Sequence, residues 1–289
     1  MYRVAILGCD NSHGFGFARA IKENFPNIEI VGIFGDDIPE DTEKLSQKYD
    51  LYVAKSYDEF VGKVDGILIT SRSGKTHYEY AKPYIKSGIP MFIDKPVTWD
   101  EDEAVAFMTE LRDNGVRIMG GSSIPLNEAV VNIANRANEY APEDIHGGYF
   151  RCPVDLVNRY GNFYFYAAHL TEMIARIYGN DLKSVVATQN GKVVTVVFRY
   201  PNCDVTGQYV DNNYCYYASI STKDGVEGAR LTFDKPYANM EIAHFEHLLK
   251  GGEQTVSYSD FIRPVYTMLA IERSLKSGRE EPVGIPPVI

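Results

Sequence analysis

Two side chains in this sequence have the type and setting for proton transfer. The first is Lys95, in Met91-Phe92-Ile93-Asp94-Lys95-Pro96. The apolar run before it reads as a buried strand. Pro96 fixes its own φ and biases Lys95 toward extended backbone. A lysine at the end of a buried strand can point into a cleft, where it suits proton transfer or the orientation of a substrate. The second is His169, in Tyr164-Phe165-Tyr166-Ala167-Ala168-His169-Leu170-Thr171-Glu172. An imidazole titrates near neutral pH and so suits acid–base work, although a satisfied core histidine fits the same pattern. Glu172, one helical turn on, could orient it.

A third feature is the loop Gly8-Cys9-Asp10-Asn11-Ser12-His13-Gly14, between an apolar strand and a helical segment. Glycines and the N–H groups of a helix N-terminus can cradle a pyrophosphate. Gly8, Asn11, Ser12, His13 and Gly14 are therefore candidate dinucleotide contacts. The loop is not a GxGxxG, since its outer glycines stand one residue too far apart, and an ordinary βα turn is the competing reading. Asp36 and Asp37 follow the second strand, where an acid can bind ribose hydroxyls or form a solvated turn. No arginine is adjacent, which leans toward NAD over NADP. Thr70, Ser71, Arg72 and His77 follow a buried strand and could line the same crevice, with Arg72 a plain surface residue on the other reading.

Other groups carry less. His244 and His247 sit beside Glu241 on a helix without further ligands, so no metal site is expected. Cys9, Cys152, Cys203 and Cys215 lack CxxC or zinc spacing and read as reduced thiols. Tyr209, Tyr214, Tyr216 and Tyr217 read as cross-strand pairs.

These groups must be positioned by strands and helices that alternate through the first third of the chain. Apolar strands are expected at Val4–Leu7, Ile28–Phe34, Val53-Ala54, Gly66–Thr70, Ile89–Ile93 and Val116–Met119. Helical patterns lie between them, including short Tyr57–Val61 and longer Trp99–Asn114. That alternation predicts a parallel, doubly wound sheet, whose ligands bind beyond the carboxyl ends of the strands. After Gly120 the pattern becomes strand-rich, joined by Gly, Asn and Pro turns, which predicts a largely antiparallel open sheet. The fold class is thus α/β, with domains at 1–120 and 121–289 and the last helix, Tyr258–Ser277, packing back on the first.

The 289 residues, 45% hydrophobic and 24% charged, can build a sizeable core. A net charge of −10 argues against nucleic acid as the partner. No apolar run is long enough to span a membrane and the first residues already pattern as a strand, so a cytoplasmic protein is expected. Alternating Val, Tyr and Phe on the open sheet predict a homodimer or homotetramer.

The order of these segments resembles the glucose–fructose oxidoreductase / inositol dehydrogenase / rhizopine-catabolism (Gfo/Idh/MocA) family. The resemblance rests on Ser87-Gly88-Ile89-Pro90-Met91-Phe92-Ile93-Asp94-Lys95-Pro96, with Asp94 in place of the family's Glu, and on the Ala168–Glu172 run followed by Tyr178-Gly179. It spans nearly the whole chain. It implies a Rossmann domain holding NAD or NADP, with Asp94, Lys95 and Pro96 among the contacts, and a polyol or sugar substrate between the domains. It also implies that Lys95 contacts substrate and the nicotinamide ribose, and that His169 is the base or acid at the reacting carbon. The chain departs from the family at Phe165, where an Asp is usual, and at Ser122-Ser123-Ile124-Pro125, where an Arg is usual. Tyr164 or Tyr166 could supply a hydroxyl instead, and Tyr166 is taken as a substrate contact.

The expected activity is hydride transfer to or from a carbinol, with Lys95 lowered in pKa by burial and the cationic nicotinamide. Two alternatives stay open: a dinucleotide- or sugar-binding sensor without turnover, and a redox-neutral enzyme that retains NAD.

Overall fold

The computed structural model describes residues 1–35 and 37–289. The chain forms two units. One comprises Met1–Gly121, Pro236–Phe261 and Val288–Ile289, and the other Ser122–Lys235 and Ile262–Pro287.

The first unit opens with β1 (Tyr2–Leu7), α1 (Ser12–Asn24), β2 (Ile28–Phe34), α2 (Pro39–Tyr49), β3 (Gly66–Ile69), α3 (Gly74–Ile85), β4 (Met91–Asp94), α4 (Glu101–Asp113) and β5 (Ile118–Gly121). The strands form a parallel sheet in the order β2-β1-β3-β4-β5. All four residues of β3 and of β4 are buried, as strands covered on both faces require. The strand expected at Val53-Ala54 is reduced to a single parallel bridge between Ile33 and Val53. Counted as a remnant strand, that bridge completes the 3-2-1-4-5-6 order of a dinucleotide-binding sheet. The helix expected at Tyr57–Val61 is instead a run of turns, with Val61 N–H bonded to Asp58 and Lys63 N–H to Phe60. The Phe60 ring fills the space above Gly32, where a Cβ would come within 2.6 Å of it.

In the second unit α5 (Glu128–Ala137) leads to β6 (Ile145–Val154), α6 (Tyr164–Tyr178), β7 (Ser184–Asn190), β8 (Val193–Arg199), β9 (Asp204–Asp211), β10 (Tyr217–Thr222) and β11 (Gly225–Arg230). Further along the chain come α7 (Tyr237–Leu249), which belongs to the first unit, α8 (Tyr258–Ser277) and the short β12 (Glu281–Pro282). The sheet order is β11-β10-β6-β9-β8-β7-β12, antiparallel except for the β6–β9 pair. Alternation is clean along β8, where Val194, Val196 and Phe198 are buried and Val193, Thr195 and Val197 are half-exposed. The buried face lies under α6. Gly207 marks a close approach, since a Cβ there would meet the Leu170 side chain at 2.9 Å.

Helix α7 belongs to the first unit although the sequence reading placed it in the second domain. Its Ile242, Phe245 and Leu249 join the core of Val4, Ile6, Phe17, Ile21 and Phe92. The last helix, expected to pack on the first domain, lies in the second unit from Ile262 onward. No helix among the described residues is long and apolar enough to cross a membrane.

Candidate functional site

In this sheet order the strand sequence reverses beside β1, so the β1 and β3 ends flank the crevice where a ligand binds. The two loops there are clasped together. The Asn11 side-chain amide donates to the Gly8 carbonyl at 2.7 Å and to the Thr70 carbonyl at 2.6 Å. Its carbonyl oxygen caps α1, accepting the His13 and Gly14 N–H groups. Thr70 Oγ1 donates to the Gly8 carbonyl at 3.0 Å. Asp10, which the motif reading passed over, accepts the N–H groups of Asp37 and Ile38 at 2.8 and 2.6 Å. It thereby ties the first loop to the turn after β2. Asp36 lies outside the described residues.

This loop fits a dinucleotide despite its unusual glycine spacing. Gly8 has φ +73°, and a Cβ on it would stand 2.4 Å from Ser71. A Cβ on Gly14 would stand 2.1 Å from the Cys9 carbonyl. Both positions require glycine, and the turn is as tight as close backbone approach to a pyrophosphate demands. Ser12 is exposed at the first position of α1, at the positive end of the helix dipole. Cys9, packed beneath the turn, has its thiol pushed up to about 12 by burial, so it stays neutral.

Two expected cofactor contacts are engaged elsewhere. His77 is fully buried, its Nε2 2.8 Å from the Ser71 carbonyl and its Nδ1 3.2 Å from the Val97 carbonyl. Burial lowers its pKa, so the ring is neutral and donates to one carbonyl, the nearer being that of Ser71. Both ring nitrogens face buried carbonyls, and the ring holds the loop at Ser71. Asp94 is also buried, accepting the Lys95 N–H at 2.7 Å and facing His13 Nδ1 at 2.7 Å. Burial opposes its charge, but His13 and Lys95 prevail and hold the carboxyl below its usual range. His13 is raised in turn: burial opposes its charge, and Asp94 outweighs that. The Asp94 side chain thus sets the backbone of Lys95, which is itself buried at 8% exposure beside the cis Lys95–Pro96 bond. Arg72 is half-exposed, and Ser71 Oγ accepts from Thr76.

Glu241 of α7 joins this group from far along the chain. It is 4% exposed, and burial pushes its carboxyl up to about 7, with His13 opposing and Asp94 reinforcing the shift. No local sequence signal marks it, because its importance comes from the return of α7 to the first unit.

In the second unit, His169 is 7% exposed on the first turns of α6. Its Nδ1 lies 2.7 Å from Ser122 Oγ. Glu172, one helical turn on, accepts the Ser122 N–H at 2.8 Å. Tyr166 and Tyr216 stand beside the imidazole, with centroids 5.5 and 6.1 Å away. Tyr164 instead faces Glu272, and burial with that neighbour raises its pKa. Phe165 packs on the rings of Tyr160 and Tyr166. Ser122 was missed as a site residue. The rule that strand ends carry function would have found it, since it directly follows β5.

The chain has the fold of several solved dehydrogenases. It superposes on a myo-inositol dehydrogenase from Corynebacterium glutamicum with a TM-score of 0.82 at 18% identity, covering 98% of this chain and 99% of that one. A myo-inositol 2-dehydrogenase from Lactobacillus plantarum gives 0.84 at 12%, covering 98% and 99%. A scyllo-inositol dehydrogenase from Lactobacillus casei, solved with NAD(H) and scyllo-inositol, gives 0.82 at 13%, again covering 98% and 99%. At these identities the likeness establishes the fold. No curated protein matches the sequence. Residues 2–122, however, match the GFO_IDH_MocA model, described as an oxidoreductase family with an NAD-binding Rossmann fold. The glycine turn and the Asp-Lys-Pro strand end both lie inside that match, so the first domain is similar to the NAD-binding Rossmann domain of that oxidoreductase family.

Proposed function

We propose that this protein oxidises a carbinol of a polyol or sugar to the carbonyl, reversibly and with NAD as its cofactor. The observation that carries the reading is the match of residues 2–122 to an NAD-binding oxidoreductase domain that contains Lys95 at the end of β4. Gly8, Asn11, Ser12, His13 and Gly14 would hold the dinucleotide at the α1 N-terminus, with Thr70 and Ser71 on the other side of the crevice. When bound, NAD supplies the acceptor for the hydride that leaves the carbinol carbon. His169 takes the hydroxyl proton as the carbonyl forms and returns it in reduction. Lys95, buried beside the end of β4, is a donor that would stabilise negative charge developing on a substrate oxygen. The inositol dehydrogenases that share the fold favour a cyclic polyol as substrate.

The second sheet also supports assembly into a homodimer or homotetramer. Its uncovered face presents Val186, Val197, Thr206 and Tyr149 in one cross-strand row. The next row contains Thr195, Gln208 and Arg151, and Arg151 Nε is buried without a hydrogen-bond partner among the described residues. A second copy covering this face would bury the valines and offer that nitrogen an acceptor.

The test is reduced-nicotinamide absorbance on mixing the protein and NAD+ with a panel of inositols, linear polyols and aldoses. A member that reduces NAD+ in proportion to enzyme supports the reading. NAD binding with no turnover across the panel would favour a sensor, and substrate conversion without net reduction would favour a redox-neutral enzyme.

A further inference from the structure

We infer that Asp10 sets a preference for NAD over NADP, because its carboxylate takes backbone N–H groups that the 2′-phosphate of NADP would need. The inference rests on the reading of the crevice as a dinucleotide site. NADP differs from NAD only by a phosphate on the adenosine ribose. In a sheet of this order that ribose is bound near the turn after the second strand. Here β2 ends at Phe34 and α2 begins at Pro39. A phosphate is held at such a turn by backbone N–H groups, by the positive end of the helix dipole, or by a basic side chain. Between Gly35 and Asp41 the sequence contains no lysine or arginine. A phosphate would therefore depend on the backbone.

That backbone is already engaged. The Asp37 and Ile38 N–H groups donate to one oxygen of Asp10, Oδ2, at 2.8 and 2.6 Å. Pro39 has no N–H, and those of Asp41 and Thr42 donate to the Ile38 carbonyl at 3.0 and 3.2 Å. Ile38 stands at the N-cap of α2 without a side-chain acceptor of its own, and Asp10 supplies one from the first loop. Asp10 is 2% exposed, so water does not readily replace it. The turn lies directly on the carboxylate, since a Cβ on Gly35 would stand 3.1 Å from Asp10 Cγ and 2.4 Å from Thr42 Oγ1. The protein thus places its own anion on N–H groups that a 2′-phosphate would seek. A second anion there would forgo those hydrogen bonds and meet a like charge. The ribose hydroxyls of NAD are uncharged and escape that repulsion. Asp10 acts through the turn and is a positioning residue.

The experiment is calorimetric titration of NAD+ and of NADP+ into the full chain, Asp10→Asn and Asp10→Ala. The unaltered chain is expected to bind NAD+ at least about tenfold more tightly than NADP+. Asp10→Asn removes the charge but keeps an oxygen for the two N–H groups, and Asp10→Ala releases them. The ratio of the two affinities should move toward NADP+ in both variants. The shift should be about ten- to a hundredfold in Asp10→Ala, the range for hydrogen bonds to a charged group, and smaller in Asp10→Asn. Equal affinities, or tighter NADP+ binding, in the unaltered chain overturn the inference. So does a ratio unmoved in both variants while the two affinities fall together, which is what a merely structural Asp10 would give. If Asp10→Ala does not melt cooperatively, the ratio in Asp10→Asn decides. Failure of the dinucleotide reading is seen separately. An unaltered chain that binds neither nucleotide removes the site, and the inference with it.

Discussion

His13 Nδ1 lies 2.7 Å from Asp94 Oδ2, joining the turn after β1 to the end of β4. The contact couples the loop proposed to hold the cofactor with the carboxylate that accepts the Lys95 N–H. Replacing His13 by Ala removes the buried carboxylate's ring partner and leaves Lys95 as its nearby cation. Breaking a fully buried pair costs about 3–5 kcal/mol. His13 keeps 24% of its side chain exposed, so water offsets part of that. A loss of about 2 kcal/mol is expected, read as a lower urea midpoint at unchanged slope. An unaltered midpoint would show that the pair contributes nothing to the fold.

Glu241 makes stability depend on pH in a defined direction. Its folded-state pKa is about 7 against an ordinary 4.5. The folded chain therefore binds this proton more tightly than the unfolded chain does. The contribution is complete below pH 4.5 and is lost as pH rises through 7, amounting to roughly 3 kcal/mol. His13 acts in the same sense at higher pH, since its raised pKa favours the folded state until pH exceeds that value. Asp94 acts at the acid end, where its lowered pKa makes stability fall as pH drops below the ordinary carboxylate range. Thermal melts should therefore show a decline in Tm from pH 5 to pH 8. Glu241→Gln should flatten that decline between pH 4.5 and 7, and a variant as steep as the parent would rule out titration of Glu241.

The parts of this architecture that were readable share one property: their signal is local. The runs Val4–Leu7, Gly66–Ile69 and Met91–Asp94 are apolar because both faces of a parallel sheet are covered, so the strands stand out in the sequence. The end of the buried strand at Asp94 was legible for the same reason. The Glu241–His13–Asp94 group was not, since nothing near Glu241 says that α7 returns to α1. The Ser122–His169 contact was hidden likewise, because it joins the residue after β5 to a helix that begins after β6. The turns at Tyr57–Val61 looked helical by composition. Their aromatic residues pack instead, with Tyr57 against Phe34 and Tyr80, and Gly62 at φ +72° ends the run. Tertiary packing prevailed over helix propensity there.

Lys95→Met separates binding from turnover. The methionine fills most of the lysine's volume but carries no charge or donor. Turnover of a polyol substrate should fall by about 100- to 10,000-fold, the range typical for losing a positioned acid–base group. NAD affinity by calorimetry should stay within about tenfold, one such step being roughly 1.4 kcal/mol. Unchanged turnover would remove Lys95 from the mechanism, and complete loss of NAD binding would assign it to the cofactor instead.

Gly14→Ala tests the turn itself. The added Cβ would stand 2.1 Å from the Cys9 carbonyl, a backbone atom that no rotamer change can move aside. The turn must open, at a cost of about 1–3 kcal/mol. The displacement falls on the N-terminus of α1, where Asn11 caps the helix by accepting the Gly14 N–H. NAD affinity should therefore fall along with stability. Gly62→Ala is the control, since nothing lies within 4 Å of its added Cβ although its φ of +72° disfavours any side chain. It should lose stability while keeping NAD affinity, and equal loss of affinity in both variants would show that general destabilisation, and not the α1 turn, governs binding.

Val197→Asp addresses assembly. The residue is half-exposed in the middle of β8, between Val186 and Thr206 in its cross-strand row. On a monomer the carboxylate would remain solvated, and the substitution would shift stability by little more than the β-propensity scale of ~1 kcal/mol. Across an interface between two copies it would be buried without a partner, a cost of several kcal/mol per copy. Sedimentation velocity should show the parent as a dimer or tetramer and Val197→Asp as a monomer that still melts cooperatively. A monomeric parent would dismiss the oligomer, and a variant that sediments like the parent would place the interface elsewhere on the chain.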